Sequence, residues 1–175
     1  VTGPGTGLGV CTLLNINNYP LAIEGEGGHS SFAPNSDLEI ELLQYLRKKY
    51  DHVSNERIVS GSGIEEIYEF ICFKNKSSFE NLKAPIIGEN AMKGEPNACE
   101  TIKLFFSVFG TSISSVILIN GAQSGVVIAG GITPKLQSLL DESNFELNLL
   151  NKGRRYDYVK TCLLYTSDAA DEERG

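Results

Sequence analysis

The sequence predicts an α/β domain, and three observations carry that expectation. A continuous apolar run, Val126-Val127-Ile128-Ala129, ends on Gly130-Gly131, the pattern of a buried strand delivering a tight turn. Apolar residues recur at helical spacing from Leu38, from Ile64 and from Ile102. Tight glycine turns stand between strand-like and helical segments, the layout of helices packed on a sheet.

The elements follow in order. The chain opens without Met on Val1-Thr2-Gly3-Pro4-Gly5-Thr6-Gly7-Leu8-Gly9, a loop that ordinarily follows a strand, so that strand and what precedes it are expected to be missing. Leu8 to Ile16 reads as a strand, Asn17 to Pro20 as a turn and Leu21 to Ile23 as the second arm of a hairpin. The paired glycines of Gly25-Glu26-Gly27-Gly28-His29 permit backbone conformations that a Cβ resists, which suits close approach to a ligand. Ser36 and Glu39 make a Ser-x-x-Glu capping box, Leu38, Leu42, Tyr45 and Leu46 form an apolar stripe, and Arg47, Lys48 and Lys49 complement the dipole; a helix is predicted over 36–49.

A shorter helical piece is expected from Ser54 to Val59, broken by Ser60-Gly61-Ser62-Gly63, with the next helix defined by Ile64, Ile67, Tyr68 and Ile71. Lys74 to Leu82 reads as a surface connection, and Pro85 and Pro96 bracket a short helix around Glu89 to Lys93. Ile102, Phe105, Phe106 and Phe109 mark a long, mostly buried helix from Asn97 towards Leu118, with Gly110 as a tolerated weak point. Pro134 to Leu140 starts a further helix.

The bulk properties bound the function. In 175 residues, 41% hydrophobic and 21% charged content suits one soluble core. A formal net charge of -7 opposes general binding to nucleic acid or to anionic lipid, leaving a small polar ligand as the easier partner. Cys11, Cys72, Cys99 and Cys162 show no C-x-x-C spacing, and neither His29 nor His52 stands at a zinc-finger offset from them, so no metal site is expected. The first ten residues do not resemble a signal peptide, and no apolar run is read as approaching the roughly 20 residues that span a bilayer. Reduced thiols in the cytoplasm and no membrane are the expectation.

Cys162-Leu163-Leu164-Tyr165-Thr166-Ser167-Asp168-Ala169-Ala170-Asp171-Glu172 looks like the conceptual translation of a sequencing-library adapter. Residues 162–175 are therefore set apart as a non-native tail expected to pack poorly, with 1–161 as a partial domain.

Read from its residues alone, the glycine loop at 3–9 fits neither the G-x-G-x-x-G fingerprint nor a P-loop. It suits either a nest of backbone N–H groups around a phosphate, with the Thr6 hydroxyl as a further donor, or a plain hairpin entry. Gly130-Gly131 suits a ligand-approaching turn or close helix–sheet packing. Glu26 and His29, sharing one loop, suit vicinal sugar hydroxyls, each both donor and acceptor, or else a solvated acid and a structural histidine. Glu56 reads as an ordinary first-turn acid.

A resemblance narrows these alternatives. The blocks Val1 to Val10, Gly25-Glu26-Gly27-Gly28-His29, Phe32-Ala33-Pro34-Asn35-Ser36, His52-Val53-Ser54, Glu56-Arg57, Ser60-Gly61 and Ile128-Ala129-Gly130-Gly131-Ile132 follow the order of the proteobacterial-type glucokinases. The similarity covers residues 1 to about 160. It implies a ribonuclease-H-like, actin/hexokinase-type large lobe, truncated at both ends, of an enzyme moving the γ-phosphoryl of ATP, with Mg²⁺, onto the 6-hydroxyl of glucose. It implies that Glu26, His29 and Glu56 bind the sugar, that Gly5, Thr6 and Gly7 contact ATP phosphates, and that Gly130 and Gly131 lie by the nucleotide. The family's catalytic Asp, in an Asn-Asp pair, would precede Val1, so no catalytic residue is assigned and the piece is expected to be inactive. Asn120-Gly121-Ala122-Gln123-Ser124-Gly125 departs from the family's glycine-rich stretch by polar substitutions. A non-catalytic sugar-sensing or repressor relative of the same fold is the alternative. The family resemblance further implies a homodimer.

Overall fold

The computed structural model describes residues 1–166. Among these, a five-stranded sheet runs in the order β3-β2-β1-β4-β5. Its strands are β1 (Thr2–Pro4), β2 (Leu8–Ile16), β3 (Tyr19–Gly25), β4 (Val126–Ile128) and β5 (Leu164–Thr166). The first three pair antiparallel as a meander, and β1 with β4 and β4 with β5 pair parallel. The helices between β3 and β4 are α1 (Asp37–Leu46), α2 (Gly61–Lys74), α3 (Ala84–Met92) and α4 (Pro96–Asn120). Four short ones follow β4: α5 (Ile132–Lys135), α6 (Gln137–Asp141), α7 (Phe145–Leu150) and α8 (Tyr156–Lys160).

The expected elements appear with informative shifts. Asn17 and Asn18 take φ of 53° and 65°, the left-handed pair that a two-residue hairpin turn requires, so β3 starts at Tyr19 rather than Leu21. Pro20 is accommodated because β3 is an edge strand. Residues read as loop supply a strand where none was expected, since Thr2–Pro4 forms β1 between β2 and β4. The segment from Ser54 to Val59 forms turns instead of a short helix, and Ser60-Gly61-Ser62-Gly63 does not break the chain but opens α2: Ser60 Oγ accepts from Gly63 N at 3.1 Å. Gly63 is required there, since a Cβ would lie 2.0 Å from the carbonyl oxygen of Ile58. Pro85 sits in the first turn of α3 rather than bounding it, because that turn needs no amide from it.

The core gathers on α4. Ile102, Phe105, Phe106, Phe109 and Ile113 are buried between α2, α3 and α7. Gly110 is no weak point: a Cβ would stand 2.3 Å from the Phe145 carbonyl oxygen, so glycine sets how closely α7 approaches α4. Contrary to the reading of apolar runs, α4 has the length and composition of a bilayer span, yet 72% of its most apolar stretch is buried inside the protein. It is the core helix of this fold.

Packing does not stop at the boundary drawn before Cys162. Cys162 is buried and its thiol donates to the Ala122 carbonyl at 3.1 Å, and β5 adds Leu164 to Thr166 to the edge beyond β4. Apolar Leu164 and the β-favouring Tyr165 and Thr166 satisfy a parallel strand whatever their origin. The rest of the expected tail lies outside the described residues.

Candidate functional site

Three segments converge beside the start of β2. From the end of β3, Glu26 leads into a 3₁₀ turn, Gly27–His29, closed by His29 N donating to Glu26 O at 3.0 Å. Gly28 lies against the backbone of Leu8, where a Cβ would come within 2.3 Å of the carbonyl oxygen. This turn is zipped to the 53–56 segment by backbone bonds from Phe32 N to Val53 O (2.9 Å), Asn55 N to Ser30 O (2.9 Å) and Glu56 N to Gly28 O (2.8 Å). Residues about 30 apart in sequence thereby share one surface.

The result is an imidazole between two carboxylates. His29 Nε2 lies 3.7 Å from Glu26 Oε2 and 3.7 Å from Glu56 Oε1. All three side chains face solvent to differing degrees, Glu26 being 89% exposed, His29 58% and Glu56 32%. At 3.7 Å the imidazole is beyond hydrogen-bond length from either carboxylate. Polar capacity therefore remains on each group for a ligand.

The glycine loop abuts this trio. Glu56 Oε2 accepts from Leu8 N at 2.9 Å, and a Cβ on Gly7 would stand 2.5 Å from the same oxygen. The loop is a tight hairpin turn, with Gly5 N donating to Gly7 O at 2.8 Å and Gly61 N to Gly5 O at 2.8 Å. Thr6 is exposed at its tip, and the space where a Cβ of Gly5 would be is open. At the far side, Gly130 has φ +94° and packs so closely on β1 that a Cβ would lie 2.7 Å from Pro4 O. Gly131, with open space at its Cβ position, precedes α5. Glu26 and Gly130 also border one hollow of about 500 Å³, walled by Gly3, Gly9, Cys11 and Ala129 among others. A larger hollow of about 670 Å³ lies away from these residues, around α7 and α8.

The family description Glucokinase matches residues 1–166. The chain belongs to the glucokinase family. The glucokinase of Neisseria meningitidis serogroup C is 39% identical over 166 residues, which are 94% of this chain and 51% of that protein. A glucokinase crystal structure from an Antarctic psychrotroph superposes with a TM-score of 0.86 at 36% identity, covering 95% of this chain and 53% of that one. A Balamuthia mandrillaris glucokinase structure in complex with glucose gives a TM-score of 0.83 at 24% identity, covering 94% and 48%, and shows the fold. The chain thus spans about half the length of the glucokinases it matches. The fold is the actin/hexokinase type expected of the family.

Of the residues singled out in the sequence, Glu26, His29 and Glu56 stand together, Gly7 touches Glu56, and Gly130 touches β1 next to Gly5. Sequence reasoning missed Leu8, whose amide anchors Glu56, and the Asn55–Ser30 contact, where Asn55 Nδ2 donates to Ser30 Oγ at 2.9 Å. Neither carries a signal in the sequence, because a backbone amide is invisible there and Asn–Ser pairs are commonplace on loops.

Proposed function

We propose that this chain supplies the sugar-binding side of an ATP-dependent glucokinase about twice its length. The carrying observation is His29 standing 3.7 Å from both the Glu26 and Glu56 carboxylates. Two acceptors flanking an imidazole match the vicinal hydroxyls of a hexose, each of which donates to a carboxylate while accepting from a neighbour. The sugar's selectivity rests on that polar geometry, since a hydroxyl-binding site rejects analogues that leave its groups unpaired.

The glycine loop fits the phosphate end of a nucleotide: Gly5 leaves its outer side open, and exposed Thr6 offers a hydroxyl. Gly5, Thr6 and Gly7 would hold ATP phosphates, with Gly130 and Gly131 beside the nucleotide. Mg²⁺ would arrive on the phosphates of the nucleotide. When bound, ATP supplies the phosphoryl group for the sugar 6-hydroxyl. The chain's own residues orient: Glu56 binds the glycine loop through Leu8 N and faces His29 with its other oxygen, so the sugar and phosphate subsites are held in one register.

Accepting the 6-hydroxyl proton needs a base within about 2.6–3.2 Å of that oxygen. The acids at this site are those assigned to sugar hydroxyls, and we assign the base, and the surface that excludes water, to the other half of the longer enzyme. The test is titration of the chain with glucose, followed by an assay for glucose 6-phosphate with Mg-ATP. Saturable glucose binding without turnover supports the reading. Absence of binding refutes the sugar site, and turnover of order 1–100 s⁻¹ would place the base within this chain.

A further inference from the structure

Resting on that sugar-site reading, we infer that Asn55 and Ser30 are a positioning pair that holds the Glu26–His29 turn against Glu56 and so sets the spacing of the three sugar-binding side chains. Asn55 is nearly buried, at 9% exposure, and its amide nitrogen donates twice to Ser30: to Oγ at 2.9 Å and to the carbonyl at 3.3 Å. Ser30 Oγ passes its own hydrogen to Gly27 O at 2.7 Å, the carbonyl that also accepts Ser30 N at 3.2 Å. The relay therefore runs from the segment bearing Glu56, through one hydroxyl, into the 3₁₀ turn whose ends carry Glu26 and His29.

The relay has a job that the backbone alone does not fill. Three backbone bonds join the two segments, but they end at Gly28, and the 3₁₀ turn itself rests on single i to i+3 bonds with poor geometry. Two of its residues are glycines, which gain the most conformational freedom when the turn opens. His29 is more than half exposed. The backbone ties the turn at Gly28 and at Ser30, and the Asn55–Ser30 relay adds the side-chain tie that reaches its Gly27 end. Asn55 acts through Ser30, to which its amide nitrogen donates.

Three variants of the full 175-residue chain test this. Asn55→Asp keeps the shape and removes both donors. Ser30→Ala, at an exposed position where folding is not at stake, cuts the relay, and Ser30→Thr retains the hydroxyl. The amide exchange of His29 and Ser30 is followed with that of Phe106 and Phe109 as an internal control for global stability, and glucose affinity is measured by calorimetry. The expected result for Asn55→Asp and Ser30→Ala is faster exchange at His29 and Ser30 alone, with glucose affinity reduced by about tenfold, the scale of one lost hydrogen bond, and near-parental values for Ser30→Thr. Unchanged glucose affinity in Ser30→Ala, with or without faster exchange, overturns the positioning role. A parental chain that binds no glucose overturns the sugar-site reading itself, a failure distinct from a variant binding as well as the parent.

Discussion

Glu56 joins two subsites through two different oxygens: Oε2 accepts the amide of Leu8 at 2.9 Å, and Oε1 lies 3.7 Å from His29 Nε2. Glu56→Ala removes a charged acceptor from a part-buried amide, a loss of about 1–3 kcal/mol. Urea denaturation should show that loss, and the Leu8 amide should exchange faster. Glu56→Gln, which keeps one acceptor oxygen, should recover part of the stability but not the glucose affinity. Equal stability of Glu56→Ala and the parent would remove Leu8 as a partner of consequence.

Glu26 separates binding from folding. Its side chain is 89% exposed, and surface substitutions away from packed features stay within about 0.5 kcal/mol. Glu26→Ala should therefore melt with the parent while its glucose affinity falls; in the longer enzyme the same change should raise KM for glucose. Unaltered affinity would exclude Glu26 from the site.

Glu39 gives the stability a pH dependence. Burial raises its pKa above the ordinary carboxylate range, opposed by hydrogen bonds from Asn35 N, Asn148 Nδ2 and Ser36. The folded state thus holds this proton more tightly than the unfolded state, so the contribution of Glu39 to stability is fully present below the unfolded value, about 4.3, and is lost as pH rises from there through the folded value. Glu39→Gln does not titrate. The stability of the parent relative to Glu39→Gln should fall across that window, as read by urea midpoints at stepped pH; a flat difference would show that Glu39 does not titrate differently on folding.

Gly110 limits the approach of α7 to α4, since a Cβ would come within 2.3 Å of the Phe145 carbonyl. Gly110→Ala raises helix propensity by about 1 kcal/mol but forces α7 outward, and overpacking of a tight core costs about 1–3 kcal/mol. Net destabilisation is expected by thermal melting. A more stable variant would mean that α7 yields easily.

Thr133 Oγ1 is buried without a hydrogen-bond partner among the described residues, and the residue is 1% exposed. Thr133→Val keeps the shape and removes the stranded hydroxyl, whose burial costs about 1–3 kcal/mol. The variant should gain stability in urea. A loss would reveal a partner for that oxygen.

The sequence by itself determined the parts that depend on local periodicity and turn chemistry. The apolar stripes of α1, α2 and α4, the run of β4, the Asn17–Asn18 hairpin and the Ser36 cap are all short-range patterns, and they appear within a few residues of where they were read. The blocks around Glu26, His29 and Glu56 were legible because motifs are linear. What tertiary structure alone decided is what each residue meets across the chain. Glu39 was read as half of a capping box, but its carboxylate takes the amide of Asn35 at 2.6 Å and turns inward to Asn148 at 3.1 Å, since a partner 109 residues away stands there to receive it. Gly63 read as part of a break and Gly110 as a tolerated weak point within a helix, and both prove to be points where backbones touch, because the absence of a side chain has no periodicity to betray its purpose. The spacing of Glu26, His29 and Glu56 belongs to the same class. It is fixed by backbone bonds between two separate loops and by the amide of Leu8, groups every residue carries and no sequence distinguishes.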